Sequence, residues 1–203
     1  MTNFGINQLS GINKFLTQNH AIRSVEFSVY EYHPQSLEDV RKVYCITPEN
    51  LNDHILDVSN CLTDEQEIAL HSKVMVRVGS GTKVMHMPMI DFLNQDLDHI
   101  VDKSVQVLKE FNIPTAFIFK SGRSFHLYGA SLLSEEDWIK FMGRILLMNL
   151  PCAADTVDTR WVGHCLIAGT SRLRLTQNTN YYRSVPMLLK TLKTSNGFRS
   201  NDL

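Results

Sequence analysis

Two tight turns separated by one long amphipathic segment set the strongest constraint on this chain's fold. Lys73 to Val78 reads as a strand, Gly79-Ser80-Gly81 as a turn, and Lys83 to Phe92 as a returning strand, so the three form a hairpin. Thr115 to Phe119 reads as a second, buried strand. Ser121-Gly122-Arg123 turns it, and Phe125 to Tyr128 returns. Between the hairpins, Leu97 to Phe111 carries Leu97, Ile100, Val101, Val105 and Leu108 on one helical stripe. Strands joined by hairpins as well as by helices imply an α+β (mixed α/β) fold and exclude a doubly wound parallel sheet. No Gly-x-Gly-x-x-Gly and no Gly-x-x-x-x-Gly-Lys-Ser/Thr occurs, so neither dinucleotide-binding nor P-loop chemistry is indicated.

The flanks extend this pattern. Residues 6–18 space Ile6, Leu9, Ile12, Phe15 and Leu16 as an amphipathic helix. Residues 22–32 alternate, with Val25, Phe27 and Val29 on one face of a strand, and Val43 to Ile46 forms a short strand. Thr47 as N-cap and Pro48 at the first position start a helix to about Val58, and residues 63–71 read as a short helix capped by Thr63. Ser134, followed by Glu135, Glu136 and Asp137, caps a helix to about Asn149, where the helix dipole favours the acids. Trp161 to Ala168 and Ser171 to Thr176 read as strands, residues 186–193 as a last helix, and Ser195 to Leu203 as a disordered tail. Residues 1–194 are expected to make one domain, two lobes at most, with its informative motifs within 70–176.

A hydrophobic content of 43% supports a real core. The net charge of −1, from 20 basic and 21 acidic residues, excludes a protein that coats nucleic acid over its whole surface. Any nucleic-acid contact must be a local patch, and near-zero net charge also favours complex formation. Cys45, Cys61, Cys152 and Cys165 form no Cys-x-x-Cys pair and read as reduced core thiols. Met1 to Ser10 lacks the features of a signal peptide, and no apolar run reaches the ~18 residues of a membrane span. A soluble, cytoplasmic protein without membrane partners is expected.

Four segments carry candidate chemistry. His86-Met87-Pro88-Met89-Ile90-Asp91 is an apolar strand ending in a carboxylate. Asp91 is placed either as a magnesium ligand at a sheet edge or as the cap of the next helix. In Lys120-Ser121-Gly122-Arg123-Ser124-Phe125-His126, small residues, two cations and an imidazole are grouped as phosphate oxygens require. Ser124 and His126 share a strand face. His126 is either a phosphate partner or a strand histidine bonded to a carbonyl. Asp158, shortly before the apolar run at Trp161, is either a second metal ligand or a turn cap, while Asp155 reads as a turn residue. Arg172 and Arg174 lie on one face, opposite Leu173 and Leu175, as a guanidinium fork for phosphate or as a solvated strand face.

In this order the segments resemble the archaeo-eukaryotic primase superfamily, and most nearly its small bacterial, primase 1D-like primase-polymerase proteins. Members carry two acids separated by one apolar residue, then Ser-x-His, then a third acid preceded by an apolar residue. The matching positions are Asp91, Ser124 and His126, and Val157-Asp158. The resemblance implies an α/β unit packed on an RRM-like unit with the site in the crevice. It implies Asp91 and Asp158 as ligands of Mg or Mn, and Asp91, His126 and Asp158 as the catalytic set. Lys120, Arg123, Ser124, His126, Arg172 and Arg174 would hold a nucleoside triphosphate. DNA or RNA and a protein partner follow as expected partners, and primase/polymerase-type nucleotidyl transfer as the expected activity.

One departure bears on that activity. The second acid of the first motif is replaced by Leu93, or by Met89 in the other direction, and Asp96 and Asp98 are better placed as helix-capping acids. The zinc module of many primases has no cysteine pair here. A catalytically inactive primase-like module that grips nucleic acid or a protein partner, for example in phage defence, is therefore the alternative expectation.

Overall fold

The computed structural model describes residues 9–33 and 35–194. The first part of the predicted N-terminal helix, with Ile6, and the predicted disordered tail lie outside the described residues. Two antiparallel sheets organise the chain. The first contains β1 (Ile22–Glu31), β2 (Arg41–Ile46), β3 (Gln66–Val78) and β4 (Gly81–His86) in the order β2-β1-β3-β4, with β8 (Arg172–Arg174) also on β3. The second runs β5-β7-β6-β9, from β5 (Met89–Asp91), β6 (Thr115–Ser121), β7 (Ser124–Gly129) and β9 (Met187–Lys193).

Five helices cover these sheets: α1 (Ser10–Gln18), α2 (Leu51–Ser59), α3 (Leu97–Glu110), α4 (Glu135–Leu146) and α5 (Thr159–Ala168). The period-2 alternation of the second sheet divides the core in two. Met89, Phe119 and Tyr128 face a cluster with Leu16, Phe27, Ile55 and Leu70. Ile90, Ile118 and Leu127 face the other way, onto Ile100 and Leu108 of α3, Phe141 of α4 and Val162 of α5.

The structure corrects several expectations. Residues 63–71 are not a helix, since Gln66 onward belongs to the central strand β3, bonded to β1 on one edge and to β4 and β8 on the other. Pairing on both edges outweighs the local capping signal at Thr63. Lys83 to Phe92 is two strands, because the chain crosses from the first sheet to the second at Met87-Pro88. Trp161 to Ala168 is helix α5, with Val162 and Cys165 buried and Ile167 exposed. Residues 186–193 form the edge strand β9, not a helix. Pro48–Asn50 is a 3-10 turn ahead of α2, and Thr47 makes no side-chain cap bond. Cys45, Cys61 and Cys152 are exposed, so Cys165 alone is a core thiol. No helix among the described residues is long and apolar enough to cross a membrane.

Candidate functional site

Three local devices deliver the site residues. The β6–β7 hairpin pairs Ser121 with Ser124, which leaves Gly122-Arg123 as a two-residue loop, and Gly122 takes φ +73. A positive φ at the first central position suits glycine in a type II′ hairpin. Asp91 pairs with His126 in the β5–β7 register. Beyond β5, Phe92 bridges Val157, Leu93 N–H donates to Thr156 O, and Asp158 N–H donates to Asp91 O at 3.0 Å. This short ladder sets the two acids side by side, although 66 residues lie between Asp91 and Asp158 in the sequence.

Asp158 does not precede a strand. It is the N-cap of α5, and its Oδ1 accepts from the N–H groups of Arg160 and Trp161 at 2.9 and 3.0 Å. Asp91 is 26% exposed at its side chain, and its Oδ1 lies 3.6 Å from His126 Nε2. Burial, reinforced by the negative charge of Asp158, pushes the Asp91 carboxyl up to about 8, while Arg174 pulls it the other way. Burial, with Arg174 adding to it, holds His126 well below the usual histidine range. At neutral pH the imidazole is neutral, so this 3.6 Å contact is neither an ion pair nor a hydrogen bond of ordinary length. His126 Nδ1 and the Tyr128 hydroxyl are buried without partners among the described residues.

Arg172 and Arg174 are not on a solvated face. Both are buried on β8, opposite Leu173 and Leu175 in the first core cluster. Arg172 is neutralised: its Nη1 meets Asp39 Oδ2 at 2.9 Å, and its Nη2 donates to His164 O. Asp39 Oδ1 also accepts from Arg41 Nε at 2.7 Å. Arg174 differs. It donates to Thr176 O, Ser184 O and Ser121 Oγ, stacks on the Tyr182 ring at 3.9 Å, and has no carboxylate within 4.0 Å among the described residues.

One cavity of about 510 Å³ collects Asp91, Arg123, Ser124, His126, Asp158, Arg172 and Arg174. Its walls come from both sheets, from α5, and from the loop after β8. Lys120 is not brought there: its Nζ donates to Arg123 O and sits 4.1 Å over the Phe125 ring. A larger hollow of about 710 Å³, lined in part by Lys42, Tyr44 and Asp57, holds none of the residues picked from the sequence.

The sequence reading missed several residues that line this cavity. Asp39 comes from the β1–β2 connection, Arg41 from the start of β2, and Tyr181 and Tyr182 from the loop after β8. Glu67 holds that loop. Fully buried, it accepts from Thr176 Oγ1, Asn178 N–H, and both Thr179 N–H and Oγ1. The sequence offers no signal for this role, since 63–71 reads as a helix there; a buried strand glutamate requires several donors, and only the fold supplies them.

With this geometry in place, the family comparison is specific. The profile of the AEP-like, archaeo-eukaryotic primase 1D-like family matches residues 47–187. The chain belongs to this family, and its role is primase-like and nucleic-acid-related. No curated protein and no solved structure matches the chain.

Divalent metals accompany this family's chemistry, so the donor set needs a test. Leu93, in the place of the second acid, lines the cavity and is 48% exposed. One oxygen of Asp158 is committed to capping α5. No group of three or more His, Cys, Asp or Glu among the described residues is arranged to hold a metal ion. Two carboxylates of this kind do not fit a two-metal centre.

Proposed function

We propose that the chain is a primase-like module that binds the phosphates of a nucleoside triphosphate, or of a DNA or RNA strand, in the cavity between its sheets. The observation that carries this reading is Arg174, a buried guanidinium with no carboxylate partner among the described residues, facing a cavity that also holds hydroxyl and imidazole donors. A guanidinium binds phosphate through several N–H groups at once, and its attraction is strongest away from bulk water. In this reading Arg174, Arg123, Ser124 and His126 hold phosphate oxygens. Arg172 joins them when an anion displaces Asp39. Asp91 and Asp158 border the same space, where a Mg or Mn ion would accompany a triphosphate.

Binding is tested by calorimetric titration with nucleoside triphosphates and with single-stranded oligonucleotides across a salt series. The reading expects saturable binding that weakens with salt and is lost in Arg174→Ala. Binding unchanged by that substitution would count against it.

Nucleotidyl transfer is the second reading, favoured by the adjacency of Asp91 and Asp158 within a primase family. In that reaction a primer hydroxyl oxygen bonds to the α-phosphorus as the bond to the β-phosphate oxygen breaks and pyrophosphate leaves. The missing second acid of the first motif argues for a binding role without efficient transfer. Primer extension with either Mg or Mn decides between the two: incorporation lost in Asp91→Ala favours transfer, and none in the wild type favours binding alone.

A further inference from the structure

The cavity has an aromatic side as well as an ionic one. Tyr32, at the end of β1, lies 5.4 Å from Tyr181 in an edge-to-face arrangement and 5.5 Å from Tyr182. All three line the cavity with Arg174, whose guanidinium carbon lies 3.9 Å over the Tyr182 ring. Tyr182 is tied in by its stacking on Arg174 and by a 3.5 Å contact of its hydroxyl with that of Tyr30. Tyr32 and Tyr181 are not. They are 39% and 61% exposed, and no protein group among the described residues hydrogen-bonds their hydroxyls. Exposed rings that contribute little to the core, clustered beside a phosphate-binding cation, match the two halves of a nucleotide: a flat apolar base and an anionic phosphate.

Resting on the phosphate reading above, we infer that Tyr32 and Tyr181 form a nucleobase platform, on which the base of a nucleotide stacks while its phosphate meets Arg174. The platform is held in position before a ligand arrives. Its loop is anchored through Thr176, Asn178 and Thr179 to the buried Glu67 carboxylate, and Gly122 N–H donates to Ser184 Oγ on the far side of the tyrosines. A rigid aromatic surface binds without a large ordering penalty. Every base has a π-face, so the platform selects nucleotides over other phosphates but does not choose among bases. The nucleotide unit comes from a free triphosphate or from a single strand.

The experiment compares inorganic tripolyphosphate, ATP, UTP and an oligothymidylate by calorimetry, using wild type, Tyr32→Ala, Tyr181→Ala and Tyr181→Phe. Stacking of the usual strength predicts about tenfold weaker nucleotide binding for each alanine variant. Tripolyphosphate affinity stays within about twofold, ATP and UTP respond alike, and Tyr181→Phe keeps the wild-type affinity. A loss for ATP and UTP alone assigns the platform to the free nucleotide, and a loss for the oligonucleotide alone assigns it to a strand. Alanine variants that bind every probe as the wild type does overturn the platform and leave phosphate binding standing, as do variants that weaken tripolyphosphate and ATP equally. Wild-type protein that binds no probe overturns the phosphate reading itself.

Discussion

Asp158 donates its backbone N–H to the carbonyl of Asp91 at 3.0 Å, closing the short ladder that makes neighbours of the two acids. It also sets their electrostatics. Burial and the neighbouring Asp158 charge make the Asp91 carboxyl hold its proton more tightly than usual. The site therefore carries less negative charge at neutral pH than its two aspartates suggest, which suits an anionic ligand beside Arg174.

That proton has a consequence for stability. The Asp91 carboxyl goes from 3.8 in its ordinary state to about 8 in the folded protein. Between these values the folded state binds a proton that the unfolded chain has released, so this group's contribution is fully present below pH 4 and is lost as pH rises through 8. Asp91→Asn removes the effect. Its stability relative to wild type is expected to grow steadily between pH 4 and pH 8, reaching roughly 2 kcal/mol, less than the full 1.36 kcal/mol per unit because the carboxyl retains some water contact. Urea unfolding of both proteins at pH 5, 6.5 and 8 checks this, and a difference that is flat with pH contradicts it.

His86 works in the opposite direction. It stacks on Trp138 at 4.6 Å, its Nδ1 lies 3.1 Å from Ser72 Oγ, and burial, with the charge of Lys73, lowers its pKa from 6.5 to about 4. Here the unfolded chain takes up the proton first, so the contribution is present above pH 6.5 and is lost as pH falls toward 4. At pH 4.5 this amounts to about 2–3 kcal/mol. His86→Gln is expected to be less stable than wild type at pH 8 through lost stacking, with the gap narrowing at pH 4.5. Thermal melts of the pair at both values test it.

Asp39 is bound as a phosphate would be, between Arg41 and Arg172. Asp39→Ala leaves a buried guanidinium without its partner and is expected to cost about 1–3 kcal/mol. It also frees a second cationic position. Added tripolyphosphate is expected to raise the melting temperature of Asp39→Ala more than that of wild type, since a ligand stabilises in proportion to its affinity for the folded state. An equal rise in both proteins would mean that Asp39 does not compete with anions.

Leu93 stands where the second acid of the first motif would complete the carboxylate set. Leu93→Asp adds that acid at an exposed position lining the cavity. It is expected to create Mn binding detectable by calorimetry and at least tenfold tighter than in wild type. No change in Mn affinity would show that Asp91 and Asp158 are not arranged around a common cation.

Much of this arrangement was legible in the sequence. Hairpin chemistry at Gly79-Ser80-Gly81 and Ser121-Gly122-Arg123, the stripe of α3 and the Ser134 cap all have local physical causes, and the structure contains each of them. Convergence of Asp91, His126 and Asp158 was expected only through the family resemblance, because a ladder between Phe92 and Val157 has no local signal. Helix α5 was misread as a strand, although both of its ends were marked. Asp158 caps it, and Gly169 closes it with φ +67. The apolar run between them fits either structure when periodicity alone is weighed. Asp39, Tyr181 and Tyr182 sit in connections whose composition resembles any polar loop, Arg41 opens β2, and only tertiary contacts bring them to the cavity.

A crystal structure of the protein with a saturating nucleoside triphosphate is the most direct measurement of whether this cavity is a phosphate site. The expected result is phosphate oxygens within hydrogen-bond distance of Arg174 and of at least one donor among Arg123, Ser124 and His126. A triphosphate bound only elsewhere on the surface, with the Arg174 side chain free of it, would contradict the assignment.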